Sequence, residues 1–158
     1  PITTKKRLEE IEKLVEITKK EGGKILCGGK RPSEFNKGYF YEPTVFDDVK
    51  DNFQIMREEP FGPLTPILTF KSFNEVIKRA NNQVAGLAAY VCTKSLELAN
   101  KTSEELETGM VAINTPFLST AETPFGGIKQ SGYGREGGSM GIKDYLNIKY
   151  THLGLIGW

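Results

Sequence analysis

Five of the chain's 17 glycines fall between Gly126 and Gly137, in a stretch that runs from Thr115 to Gly137 as TPFLSTAETPFGGIKQSGYGREG. Glycine lacks a Cβ, so it adopts positive φ cheaply and lets other backbone or a ligand approach closely. That freedom is costly in chain entropy, and a plain linker has no need of Pro124, Phe125, Ile128 and Arg135 set among the glycines. An aromatic ring, a cation and tight turns together read as a shaped wall of a pocket or an interface. An ordinary surface loop is the alternative that composition leaves open.

The segments ahead of this stretch point to an α/β chain. Thr3 or Thr4 caps a helix that runs to about Glu21, with Leu8, Ile11, Leu14, Val15 and Thr18 on one face at the 3.6 period. Glu9 with Lys13, and Glu16 with Lys20, stand at the i,i+4 spacing that supports an exposed face. Lys24 to Cys27 reads as a strand, 30–38 as a loop, and Tyr39 to Phe46 as an extended segment that Pro43 keeps to an edge or a bend. Leu64 to Phe70 is the next strand. Ser72 and Glu75 form a capping box for a helix burying Phe73, Val76, Ile77 and Ala80. Leu87 to Cys92 is continuously apolar, as in a strand covered on both faces. A helix from about Ser95 to Glu107, with Leu98, Thr102 and Leu106 or their near neighbours inward and Gly109 as its C′ residue, leads to a strand at Met110 to Ile113. Strand and helix thus alternate over 64–114, which predicts right-handed parallel βαβ units. The glycine-rich stretch leaves the last strand at its C-terminal end, where open α/β sheets hold ligands. Gly141 to Leu146 reads as a short helix. Asn147 to Leu155 reads as a final half-apolar strand that needs a partner, such as another subunit, to cover it.

The chain's 158 residues suffice for a real core, and 38% hydrophobic with 26% charged residues is ordinary for a globular protein. Net charge is +1 with both signs interspersed, so no basic stripe favours nucleic acid. The longest apolar run, Val84 to Cys92, is too short to span a membrane. No signal peptide is visible, and two cysteines make no disulfide framework, which suits a reducing cytoplasm. The chain opens on Pro1 directly ahead of a helix, without an initiator Met, and so reads as a piece of a larger protein.

Chemistry is harder to place. No metal-ligand cluster, no G-x-G-x-x-G after an early strand and no G-x-S-x-G elbow occur. Gly126-Gly127 is not followed by a helix, so it is no phosphate loop. Cys27 and Cys92 read as structural residues, and His152 as a structural or exposed one. The remaining candidate is Glu58-Glu59-Pro60-Phe61-Gly62-Pro63, two carboxylates ahead of a stiff turn. A rigid acceptor beside a planar aromatic is what a ribose diol and a nicotinamide ring require; a plain loop with two solvated acids is the other reading.

Glu59-Pro60-Phe61-Gly62-Pro63 resembles the E-x-F-G-P motif of the aldehyde dehydrogenase superfamily. Pro124-Phe125-Gly126-Gly127-Ile128-Lys129-Gln130-Ser131-Gly132, continuing to Gly134-Arg135-Glu136-Gly137, is similar to its P-F-G-G-x-K-x-S-G-x-G-R-E-G signature. Cys27-Gly28-Gly29-Lys30 and Tyr41-Glu42-Pro43-Thr44 fit the same spacing, so the resemblance runs from about residue 1 to 156. The ending Asp144 to Tyr150, with Leu118-Ser119-Thr120 upstream, is most similar to the succinate-semialdehyde dehydrogenase branch. Asn147 stands where many members carry an acid near the dimer seam, and Thr115-Pro116-Phe117 replaces a more usual Thr-Gly-aliphatic.

The resemblance implies an open, mostly parallel sheet with flanking helices over residues 1–143, the C-terminal part of a catalytic domain, and an oligomerisation strand over 144–158. It implies oxidation of an aldehyde with NAD or NADP. In the family a cysteine thiolate attacks the carbonyl, hydride leaves to nicotinamide, and a glutamate-activated water hydrolyses the thioester. Glu59 would bond the nicotinamide ribose and Phe61 would pack at the nicotinamide end. Phe125 would line the substrate tunnel, and Ser119 would hold the distal carboxylate of succinic semialdehyde. Nucleophile, base and the main cofactor domain would lie upstream of Pro1, so no catalytic residue and no metal site is expected in this chain, which alone would be inactive. Another semialdehyde, such as that of 2-oxoglutarate, and a non-catalytic binding or assembly module are the alternatives.

Overall fold

The computed structural model describes residues 1–35 and 37–155, which fall into two compact units, Pro1–Val76 and the chain from Ile77 onward. In the first unit, helix α1 (Lys5–Lys20) begins at Thr4, whose Oγ1 accepts from Arg7 N at 3.1 Å. It buries Leu8, Ile11, Leu14, Val15 and Thr18, the face its periodicity predicts. Its surface pairs differ from the expected ones: Glu16 bonds Lys19 at 2.8 Å, Arg7 bonds Glu10 at 2.9 Å, and Glu9 takes Lys5. Exposed i,i+3 and i,i+4 pairs lie within fractions of a kcal/mol of one another, so their choice is not written in the spacing.

Strands β1 (Lys24–Cys27), β2 (Thr44–Asp47) and β3 (Leu64–Pro66) form a three-stranded sheet in that order. β1 runs antiparallel to β2 with a register shift between Ile25 and Cys27, while β2 and β3 are parallel. Phe46, fully buried, meets Ile11, Leu14, Val15, Val49, Phe53, Ile55 and Leu64 in one apolar cluster. The link from β2 to β3 carries a 3₁₀ turn at Gln54–Met56 and then the Glu-Pro-Phe-Gly-Pro segment. Helix α2 (Phe73–Asn81) opens as predicted: Glu75 N donates to Ser72 Oγ, and the Glu75 carboxylate reaches back to Lys71 N.

From Ile77 onward the apolar run is the organising element. Its first part, β4 (Ala85–Gly86), pairs antiparallel with β7 (Ile128–Lys129); its second, β5 (Ala88–Val91), pairs parallel with β6 (Met110–Ile113). Helix α3 (Leu96–Glu105), capped by Ser95 Oγ on Leu98 N, connects β5 to β6 and completes one parallel crossover. It turns Ala99, the neighbour of Leu98, inward; it ends at Leu106, so Gly109 is not its C′ residue.

Among the described residues the strands fall into three small sheets, one of three strands and two of two, in place of the expected single open, mostly parallel sheet. Pro63 O and Ile67 N both bond β2. By alternation Pro66 faces the outer edge, where its missing N–H withholds a donor that a further strand would need. Nor is 87–92 covered on both faces: β6 is the only strand beside β5 among the described residues, and Tyr90 is 61% exposed. Gly141–Tyr145 is a 3₁₀ helix. Residues 147–155 form no strand, and Ile148, Tyr150, Leu153 and Leu155 face solvent. The last three positions of the expected oligomerisation element, 156–158, lie outside the described residues.

Candidate active-site residues

In the first unit, the Glu59-Pro60-Phe61 turn enters β3 directly. It is tied at its far end by Thr44 N, which donates to Pro63 O at 2.8 Å, and by Leu64 N to Gly62 O at 2.8 Å. Gly62 packs so tightly on α1 that an added Cβ would lie 2.3 Å from Ile11 Cδ1. The backbone at Phe61 has φ 37°, a value a bulky residue adopts only when its surroundings enforce it. Its ring is 72% exposed.

The two acids of the turn differ. Glu58 accepts twice from Gln54 Nε2 at 3.1 Å and is bound into the adjacent 3₁₀ turn. The Glu59 carboxylate accepts no hydrogen bond from the described residues and is exposed. Of the two acids, it is the one without a partner among the described residues. Glu59 borders a cleft of about 360 Å³ with Arg7, Lys13 and Gln54; Phe61 borders a second, of about 270 Å³, with Ile2 and Tyr41. Half-buried Tyr41 has its phenol pushed up to about 12, by burial first and then by the negative field of Glu12, Glu16 and Glu42.

The other two expected site residues belong to the second unit. The loop holding Ser119 leaves the C-terminal end of β6 at Asn114, whose amide clamps Thr93 from both sides: Oδ1 accepts from Thr93 N at 2.9 Å and Nδ2 donates to Thr93 O at 2.8 Å. Ser119 is exposed, and its hydroxyl has no hydrogen bond among the described residues. Phe125 is half-buried and paired to Glu136 by two backbone bonds of 2.7 Å. With Gly126, Gly127, Tyr133, Arg135 and Tyr145 it lines an open cleft of about 690 Å³.

The glycine-rich stretch is braced from within. Arg135 Nη1 donates to the carbonyls of Gly127 and Gly134 at 2.8 and 2.7 Å, and its N–H donates to Asp144 Oδ2. Ser131 Oγ accepts from Gly86 N at 3.0 Å, and Lys129 Nζ bonds Glu107 at 2.5 Å and the Asn81 carbonyl at 2.8 Å. Gly137 and Gly138 turn the chain at φ 67° and 56°, with Gly138 N on Ala121 O. The Arg, Lys and Ser of the motif therefore hold the wall together, and Phe125 is left as its aromatic lining.

Sequence reasoning missed Arg7, which reaches the carbonyls of Glu59 and Phe61 from the first turn of α1. No local pattern marks it, because its partners lie more than fifty residues away. Cys92 is exposed rather than buried, and Cys27 is also exposed. His152 is exposed beside the Tyr150 hydroxyl. Among the described residues no group of three or more His, Cys, Asp or Glu could hold a metal, and no helix is long and apolar enough to cross a membrane.

The family defined as "Aldehyde dehydrogenase family" matches residues 1–151. Betaine aldehyde dehydrogenase of Beta vulgaris chloroplasts is 45% identical over 94% of this chain and 30% of its own length. Mitochondrial succinate-semialdehyde dehydrogenase of Arabidopsis thaliana is 44% identical over 98% of this chain and 29% of its own length. The NAD+ complex of an aldehyde dehydrogenase from Bacillus cereus superposes with a TM-score of 0.91 at 45% identity, covering 94% of this chain and 30% of that one. The chain thus spans about 30% of the length of the relatives it matches.

Proposed function

The chain belongs to the aldehyde dehydrogenase family, and from that premise we propose that it is part of an enzyme that oxidises succinic semialdehyde to its dicarboxylic acid with NAD or NADP. The observation that carries the cofactor side of this reading is the exposed Glu59 carboxylate, without a hydrogen bond among the described residues and two positions ahead of the exposed Phe61 ring. A vicinal diol offers two donors to such a carboxylate, and the ring offers a flat apolar face. The nicotinamide group, when bound, accepts the hydride that leaves the aldehyde carbon. Glu59 and Phe61 hold and orient it; Phe125 shapes the wall of the aldehyde cleft; the Ser119 hydroxyl donates to the carboxylate at the far end of the substrate.

Neither Cys27 nor Cys92 stands in the family's nucleophile motif, so the thiolate and the general base belong to sequence outside this chain, and the 158 residues alone do not turn over. Both thiols are free, which supports a reducing, cytoplasmic setting. The exposed apolar side chains of 147–155 support pairing of that segment with a second subunit, as a strand formed in trans.

A second substrate reading has its own support: a betaine aldehyde dehydrogenase is as similar as the succinate-semialdehyde enzyme, and its substrate by name is a different aldehyde. Ser119→Ala in the complete enzyme separates the two. A hydroxyl bonded to a carboxylate contributes about 1.5–3 kcal/mol, so kcat/KM for succinic semialdehyde falls about tenfold to a hundredfold, with little change for betaine aldehyde. Equal small effects on both remove the reason for choosing succinic semialdehyde.

A further inference from the structure

The guanidinium of Arg7 is engaged on three sides. Nη1 donates to Glu10 Oε2 at 2.9 Å, one turn further along α1. Nη2 donates to the Glu59 carbonyl and Nε to the Phe61 carbonyl, each at 3.4 Å. Its Cζ lies 5.8 Å from the centre of the Phe61 ring. These two carbonyls bracket Pro60, so one rigid planar fork holds both ends of the Glu-Pro-Phe turn, while Glu10 fixes the fork on the helix.

This matters because the turn is not held by its own preference. Phe61 at φ 37° sits in a region that bulky residues avoid, and such a conformation persists only where neighbours over-determine it. Packing of Gly62 on Ile11 fixes the far side of Phe61. It leaves free the Glu59–Pro60 peptide plane and the swing of the exposed ring, and Arg7 touches both, together with the carbonyl of the peptide after Phe61. Each contact alone is weak: 3.4 Å is a long hydrogen bond, and the ring is largely in solvent. Their effect is on orientation, because all three arise from one group.

We propose that Arg7 is a positioning residue, which orients the Glu59 carboxylate and the Phe61 ring toward the nicotinamide end of the cofactor. The inference rests on reading this turn as a cofactor contact. Lysine cannot substitute, since an ammonium is a point donor and does not bridge two carbonyls while facing a ring.

The test uses the complete enzyme, titrated with NAD+ and with NADP+, and four forms: wild type, Arg7→Ala, Arg7→Lys and Glu59→Gln. Arg7→Ala is expected to raise KM for the cofactor the wild type uses by about tenfold, with aldehyde KM and the thermal midpoint nearly unchanged. Arg7→Lys keeps the charge and the Glu10 pair, and is expected to leave cofactor KM raised by about fivefold or more. Cofactor KM at the wild-type value in both Arg7 variants overturns the proposal. So does a parallel rise in cofactor and aldehyde KM with a lowered thermal midpoint, which marks a merely structural role. Glu59→Gln separates the two levels: without an effect on cofactor KM the reading of the turn falls, and with an effect there but none at Arg7 only this inference falls.

Discussion

Replacing Gly109 with Ala is the most direct probe of the contact between the start of β6 and the glycine-rich wall. Gly109 N donates to Gly86 O at 3.0 Å, which fixes its position beside β4. A Cβ built there lies 2.0 Å from Gly126 O, 2.8 Å from Gly126 C and 2.7 Å from Gly127 Cα. All three are backbone atoms, so no rotamer change relieves the clash. The Gly126 carbonyl must retreat by more than about an ångström to reach ordinary contact. Overpacking of a rigid site costs about 1–3 kcal/mol, and a backbone obstacle puts this case in the upper half of that range. Gly109 does not have positive φ, so alanine regains about 0.4–1 kcal/mol through the unfolded chain. The net expectation is a loss of about 1–2.5 kcal/mol. Urea unfolding of the complete protein reads the stability, and aldehyde KM reads the displacement of the adjoining Phe125. Gly154→Ala is the control, since its Cβ meets no atom within 4 Å. A Gly109→Ala protein as stable as that control, with unchanged aldehyde KM, refutes the close approach.

Two further predictions concern pH. The Tyr41 phenol is held up at about 12 by burial and the surrounding carboxylates, against about 10 when unfolded, so the fold favours the neutral form. That stabilisation is complete below pH ~10 and is lost as pH rises through the folded value. Alkaline difference absorption is expected to show one late-titrating phenol that Tyr41→Phe removes; its persistence in that variant contradicts the assignment. Glu12 receives a two-pronged bond from Arg31, at 2.6 and 2.7 Å, which holds its carboxyl below the usual range. This contribution is present above the ordinary glutamate value and lost as pH falls through the lowered one. Both partners are substantially exposed, so Arg31→Ala is expected to cost under about 1 kcal/mol at neutral pH and nothing once Glu12 is protonated. Acid unfolding curves that stay parallel for the two proteins contradict it.

Much of this fold is legible in the sequence where the signal is local. The inward face of α1, the Ser72 cap and the β5–α3–β6 crossover follow from periodicity and capping chemistry over a few residues. What was not legible is partner choice. Alternation identifies a strand but not its neighbour, so β3 was assigned to the sheet of β5 and β6, whereas the outward-facing Pro66 ends its sheet on that side. The run at 87–92 reads as doubly covered because its composition suits burial, yet Tyr90 is open in a chain that spans about 30% of its relatives' length. At the candidate site, family resemblance singles out Glu59, Phe61, Ser119 and Phe125. It does not show which side chains brace them: Arg7 acts across more than fifty residues, and the role of Lys129 depends on Glu107 and Asn81. A motif records which residues recur together and is silent about which of them hold the others.

The central claim is that this chain contributes cofactor and substrate contacts to an aldehyde-oxidising enzyme. The measurement that tests it most directly is the absorbance of reduced nicotinamide formed by the complete protein from succinic semialdehyde, with NAD+ and NADP+ in turn. The account predicts turnover that requires both aldehyde and cofactor and that exceeds the rate with betaine aldehyde. A folded protein that binds NAD+ or NADP+ yet forms no reduced cofactor from either aldehyde contradicts it.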